Sequence, residues 1–289
     1  MSARSKLLVV DEDPFTHDML AAALHAKEYA ITHCYSGAEA LSFLENHPCD
    51  LVITDIRMPG LDGLELLRSI QKIRPGTKVL VMTADSTPAV VIRSLRDQAI
   101  GYIIKPLSPE TVADSVAQAL IAPSPQDDID VVSASPHWIS LLLRCKLAIA
   151  DRLAPFLREL GTDLPAQERE DIGTAFRELL VNAIEHGGRS DPEEFVRVDY
   201  IRASRFLIYK VSDPGEGFSF SDLSHAALSN RPEAPYEHLE TRERLGLRPG
   251  GFGILLTSRL ADELIYNEKG NEVLLIKYIT PFNNGEVRG

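Results

Sequence analysis

The chain has 289 residues, enough for two domains that each bury a core of their own. Its 42 acidic against 30 basic side chains give a formal net charge of -12 with no Lys/Arg cluster, which argues against direct contact with nucleic acid. Cys34, Cys49 and Cys145 lie far apart with no CxxC pair, suggesting neither a disulfide framework nor a zinc site, and no apolar run approaches the roughly 18–20 residues of a bilayer span; a soluble, cytoplasmic chain with no membrane contact is expected.

The first half alternates short β-branched runs with segments of helical period. Strands are predicted at 6–10, 30–34, 51–55, 78–82 and 101–104, with Leu64, Leu67, Ile70 and Ile73 marking one of the helices and 109–121 the last of them. This alternation predicts a parallel sheet covered on both faces, whose ligand site lies beyond the carboxyl ends of the strands. Asp11, Glu12, Asp55, Thr83 and Lys105 fall there. Converging carboxylates repel one another unless they share a divalent cation, and hard oxygen ligands favour Mg2+. A hydroxyl and an ammonium beside them suit a phosphoryl group. Singly, Asp11 also suits a helix N-cap and Thr83 a strand-end hydroxyl, whereas a carboxylate at Asp55 gains nothing for packing.

Together, Val10-Asp11-Glu12, Asp55-Ile56-Arg57-Met58-Pro59-Gly60, Thr83-Ala84 and Tyr102-Ile103-Ile104-Lys105-Pro106 resemble the receiver domain of response regulators. The resemblance implies a flavodoxin-like, doubly wound α/β fold with a parallel five-stranded sheet over residues 1–122. It makes Asp55 the phosphoacceptor, with Asp11, Glu12 and Asp55 holding Mg2+. Thr83 senses the acyl phosphate, Lys105 pairs with it, Tyr102 takes the aromatic switch position and a cis peptide bond falls at Lys105-Pro106. It also implies a sensor histidine kinase or a phosphotransfer protein as the donor.

Ala122-Pro123-Ser124-Pro125-Gln126-Asp127-Asp128 makes a poor core, so a linker is predicted over 123–136 and a second domain over 137–289. A helix is predicted over 136–160 from the stripe Trp138, Leu141, Leu142, Ile149, Leu153 and Leu157, kinked or restarted at Pro155 and packed on its own domain. The next helix, 165–187, buries Phe176, Leu179, Leu180 and Ile184 and carries Glu178, Asn182 and His186 every four residues on another face. Strands at 195–201 and 206–212 lead into Asp213-Pro214-Gly215-Glu216-Gly217-Phe218. A long polar stretch over 219–249, expected as a lid, precedes Gly250-Gly251-Phe252-Gly253-Ile254 and a helix at 254–261. Strands at 263–267 and 272–278 close the chain around a turn. Glycines where a chain turns into a helix let backbone N–H groups approach phosphate oxygens.

This succession resembles the GHKL ATPase domain shared by gyrase, the large heat-shock chaperone and histidine kinases, and most closely the anti-sigma-factor serine kinases. Glu178-Leu-Leu-Val-Asn182-Ala-Ile-Glu-His186-Gly187 looks like their N-box, and 213–218 like their first glycine box. The resemblance implies an α+β two-layer sandwich that binds ATP with Mg2+. Asn182 coordinates the metal, Asp213 accepts a hydrogen bond from the adenine amino group, and Gly215, Gly217, Gly251 and Gly253 shape the lid and phosphate turns. Glu178 is the general base toward a serine or threonine hydroxyl. Gly250 stands where that group carries arginine. No histidine lies in the context of a histidine kinase's dimerising helix, and no basic helix-turn-helix follows the receiver-like half. The function implied is a phosphorylation-controlled protein serine/threonine kinase acting on a STAS-type anti-sigma-factor antagonist, with a sigma factor as a further partner and a homodimer as the assembly. The alternative is an ATP-binding module that sequesters the antagonist or the sigma factor without phosphoryl transfer.

Overall fold

The computed structural model describes residues 4–24, 28–84, 87–122, 128–135, 137–161, 164–218 and 253–279. The chain divides into two compact units, Met1–Asp128 and Ile129–Gly289.

The N-terminal unit runs β1 (Ser5–Val10), α1 (Pro14–Ala23), β2 (Tyr29–Cys34), α2 (Gly37–Asn46), β3 (Leu51–Asp55), α3 (Gly63–Ile73), β4 (Lys78–Thr83), α4 (Pro88–Arg96), β5 (Gly101–Ile104) and α5 (Pro109–Ile121). All five strands pair in parallel in the order β2-β1-β3-β4-β5, as the alternating pattern predicts. Leu7, Val9, Ile53, Leu80 and Ile103 are all but fully buried, because helices cover both faces of the sheet. Helix starts are fixed locally: Asp13 caps α1, Ser36 caps α2, and Asp62 forms a reciprocal capping box with Glu65 on α3. The N-cap of α1 is thus Asp13, not Asp11.

The C-terminal unit holds β6 (Ile129–Ser135), β7 (Trp138–Arg144), α6 (Leu147–Glu159), α7 (Ala166–Asn182), a π-helical turn (Ala183–Gly187), β8 (Phe195–Arg202), β9 (Phe206–Ser212), α8 (Gly253–Leu260), β10 (Glu263–Tyr266) and β11 (Glu272–Tyr278). The strands form one antiparallel sheet in the order β10-β11-β9-β8-β7-β6. Tyr200 and Tyr209, both buried, reach from the sheet to donate to the carbonyls of Leu160 (3.0 Å) and Leu157 (3.1 Å) at the end of α6. The Leu157 carbonyl also accepts from the Leu160 N–H at 3.2 Å, and the two phenols add partners at this helix end and tie the helix layer to the sheet.

Three expectations need correction here. Half of the stretch expected as linker, 123–136, is strand: β6 pairs with β7 from Ile129↔Leu143 to Ser135↔Trp138. The helix expected over 136–160 is a strand followed by a shorter helix. The apolar Ile139, Leu141 and Leu143 are buried at alternate positions, with Ser140 buried among them, while Trp138 is half exposed. A short apolar run suits either structure by pattern, and pairing with β8 decides it. Finally, α7 stops at Asn182 and the chain continues as a π turn, closed by Gly188 N–H on the Ala183 carbonyl (2.8 Å). The wider turn breaks the four-residue stack, and His186 is exposed rather than aligned with Glu178 and Asn182.

Candidate functional site

In the N-terminal unit, β1, β3 and β5 end at the same edge of the parallel sheet, with β4 between the last two, and Asp11, Asp55 and Lys105 meet there. Lys105 Nζ lies 2.9 Å from Asp11 Oδ2 and 2.8 Å from Asp55 Oδ1. The Arg57 N–H donates to Asp55 Oδ2 at 2.8 Å, and the Asp13 N–H donates to Asp11 Oδ1 at 2.9 Å. Thr83 is fully buried at the end of β4, where its carbonyl accepts from the Lys105 N–H at 2.8 Å. Tyr102 is buried, and the Lys105-Pro106 peptide is cis. Gly63, at the start of α3, packs so closely on the Asp55 carbonyl that a Cβ would overlap it.

The expected convergence of three carboxylates is corrected to two. Glu12 is exposed, and no cluster of three His, Cys, Asp or Glu side chains suited to a metal occurs among the described residues. The bond from Asp13 N–H to Asp11 Oδ1 folds the chain into α1 directly after Asp11, leaving Glu12 on the outside of that bend. The pair still fits Mg2+, which keeps several waters and needs only one or two protein carboxylates beside a phosphate.

Burial pushes the Asp55 carboxyl above the usual carboxylate range, and Lys105 offsets only part of this. Burial also disfavours the Lys105 ammonium, but its bonds to Asp55 and Asp11 outweigh that and raise its pKa. One ammonium between two buried carboxylates leaves the pocket negative, so both groups hold their protons more tightly. The sign for stability follows. The folded chain binds the Asp55 proton more strongly than the unfolded chain, so ionising Asp55 costs stability as pH rises from the ordinary carboxylate range of about 3.9 through its raised midpoint. Carboxyl-carbon NMR should place that midpoint above the ordinary value and Lys105→Met should move it higher still; a midpoint that falls on removing Lys105 would contradict this.

In the C-terminal unit, Glu178 and Asn182 stand one turn apart on α7, and α8 starts against them. A Cβ on Gly253 would lie 3.1 Å from Glu178 Oε2 and 3.4 Å from Asn182 Nδ2. Asp213 ends β9 beside the π turn. A Cβ on Gly187 would overlap its carboxyl group, and one on Gly215 would lie 2.9 Å from Gly187 Cα. The Gly215 N–H donates to Asp213 Oδ1 at 2.8 Å. Burial raises the Asp213 carboxyl above its ordinary range. Gly217 has φ +78 and abuts the Lys269 carbonyl, so a side chain there meets both backbone strain and a clash. These glycines let the loop after β9, the π turn and the Lys269 turn pack directly against one another, which fixes the position of Asp213. Gly251 and the expected lid, 219–249, lie outside the described residues.

Sequence reasoning missed the groups that hold this loop. The Asn271 carbonyl accepts from the Asp213 N–H at 3.0 Å, and Asn271 Nδ2 donates to the Asp213 carbonyl at 3.2 Å. Lys269 Nζ donates to the Gly215 carbonyl at 2.9 Å. It also missed Arg177, whose Nε and Nη2 bind Asp151 (2.8 and 2.6 Å) while Nη1 lies 3.5 Å from Glu178 Oε1.

Residues 7–117 match the model of the response regulator receiver domain and residues 146–277 that of the histidine kinase-like ATPase domain. The chain is a fusion of these two domains. Curated relatives include the transcriptional regulatory protein GlrR of Escherichia coli, 31% identical over 197 residues that make up 67% of this chain and 42% of that protein. The DNA-binding transcriptional regulator NtrC of Azospirillum brasilense is 26% identical over 240 residues, 83% of this chain and 48% of that protein. The chain spans less than half the length of these relatives. A solved CheY-like receiver domain protein from Methanospirillum hungatei covers 41% of this chain and 94% of its own, at 29% identity and a TM-score of 0.39. The receiver domain implies a phosphodonor partner such as a histidine kinase, and the ATPase-like domain an ATP-related activity. No helix among the described residues is long and apolar enough to cross a membrane.

Proposed function

We propose that the chain is a response regulator whose output domain is a protein serine/threonine kinase for an anti-sigma-factor antagonist, with Asp55 phosphorylation setting its activity. The observation that carries this reading is the meeting of Glu178, Asn182 and Gly253 at the junction of α7 and α8. It supports an acid-base group and an amide metal ligand beside a side-chain-free helix start suited to phosphate.

In the receiver domain, an Asp55 carboxylate oxygen attacks the phosphorus of the donor, forming an acyl phosphate as the donor's leaving group departs. Lys105, at 2.8 Å from Asp55 Oδ1, balances the added charge, and Thr83 takes the phosphoryl oxygen expected on its side. In the ATPase domain, ATP enters as substrate with its adenine amino group on Asp213 and its phosphates over Gly253. One Mg2+ would be held by Asp11 and Asp55 in the receiver domain and a separate one by Asn182 in the ATPase domain, and each would supply charge neutralisation. Glu178 takes the proton of the incoming hydroxyl as its oxygen attacks the γ-phosphorus and ADP leaves.

GlrR and NtrC are transcriptional regulators by name. The proposed route also ends at transcription, through a sigma-factor antagonist instead of DNA contact, in keeping with the net charge of -12. Incubating the chain with γ-labelled ATP and candidate antagonists should leave label on a serine or threonine of one of them. A chain that binds an antagonist and labels none would reduce the proposal to sequestration alone.

A further inference from the structure

Behind the receiver pocket lies a buried histidine that the phosphoryl chemistry above does not use. His17, in the first turn of α1, is only 3% exposed. Its Nε2 lies 2.8 Å from the Asp11 carbonyl and its Nδ1 lies 2.8 Å from His33 Nδ1 on β2. The ring also packs at 4.4 Å from Tyr35 and 4.9 Å, edge-on, from His33.

The contact to the carbonyl fixes one proton position. A carbonyl only accepts, so His17 Nε2 carries a hydrogen and donates it to Asp11. A single proton can lie between the two facing Nδ1 atoms, so His33 locks the orientation of His17 from behind. Asp11 is thereby held at every polar atom. Its N–H donates to the Cys34 carbonyl (3.3 Å), its carbonyl accepts from His17, Oδ1 accepts from the Asp13 N–H and Oδ2 pairs with Lys105. Of these four contacts, the one from His17 fixes the peptide plane from which the Asp11 carboxylate projects toward Lys105 and Asp55.

We infer that His17 is a positioning residue for the phosphoacceptor pocket: through the Asp11 carbonyl it sets the Asp11 carboxylate for cation binding beside Asp55. The inference rests on the reading of Asp55 as phosphoacceptor and extends it to a residue behind the ligands. Groups of this kind, which orient a metal ligand without touching the metal, change metal affinity by about 10–100-fold when removed. A buried histidine that only fills space would instead affect folding.

The test separates these roles with two substitutions in the full chain. His17→Phe keeps an aromatic ring and removes the donor, whereas the amide nitrogen of His17→Gln can still reach the Asp11 carbonyl. Mg2+ alone is titrated and followed at the Arg57 amide resonance, whose N–H donates to Asp55, and Asp55 labelling by acetyl phosphate is measured against Mg2+ concentration. We expect His17→Phe to raise the Mg2+ midpoint about 10-fold in both measurements while saturating Mg2+ restores the labelling rate, and His17→Gln to stay within about 2-fold of the wild type. A His17→Phe midpoint equal to the wild type, a Gln variant as impaired as the Phe variant, or a loss that saturating Mg2+ does not restore would each overturn the inference. Wild-type chain that responds to Mg2+ at Arg57 but takes no label on Asp55 would instead sink the phosphoacceptor reading, and the inference with it.

Discussion

Asp55→Asn should take up no phosphoryl group from acetyl phosphate under conditions that label the wild type. The expected effect is total because the amide offers no anionic oxygen to form an acyl phosphate. The pocket otherwise persists: Lys105 keeps its 2.9 Å contact to Asp11, and the Arg57 N–H keeps an oxygen to donate to. Asp11 is the competing acceptor, with the same chemistry and equal access to Lys105. It is set apart by the His17 contact on its main chain, which commits it to an orienting role. Undiminished labelling of Asp55→Asn would move the acceptor to Asp11 or elsewhere.

Glu178→Ala should lower transfer from ATP to the antagonist by about 10^2–10^4-fold, the range typical of a lost general base. Nucleotide affinity should change little. Under the proposed function, adenine recognition rests on the loop at Asp213, held by Gly215, Lys269 and Asn271, which Glu178 does not touch. Arg177 bears on the outcome. Anchored to Asp151, it directs one nitrogen at Glu178 Oε1, leaving Oε2 on the Gly253 side where the reacting groups are expected. If Glu178 were a metal or nucleotide ligand instead, affinity and transfer would fall together. Calorimetry alongside the transfer assay decides between the two, and a variant that still transfers at the wild-type rate would remove Glu178 from the chemistry.

The receiver half was legible in the sequence because its strands are short, apolar and separated by capped helices, so each element is specified by its own residues. Its ligand positions could be read from strand ends alone, since a parallel sheet gathers them there. Lys105 and Asp11 were placed together in this way though they lie far apart in the chain. The interior of the second half was less legible. The run from Trp138 to Arg144 becomes a strand by pairing with β8, information carried by residues some fifty positions downstream. The π turn after Asn182 has no signature in pattern; it packs Gly187 and Gly188 against Asp213 and Cys145, residues distant in the chain. His17, Arg177 and Asn271 escaped notice for a related reason. Each acts through hydrogen bonds or an ion pair to a candidate site residue, and the sequence shows residue types rather than partners.

The most direct measurement is calorimetric titration of ATP into the purified full chain with Mg2+ present, repeated with Asn182→Ala. Saturable uptake of one nucleotide per chain, weakened in the variant, is the expected result. No uptake by the wild-type chain would contradict the proposal that this regulator works through a nucleotide site.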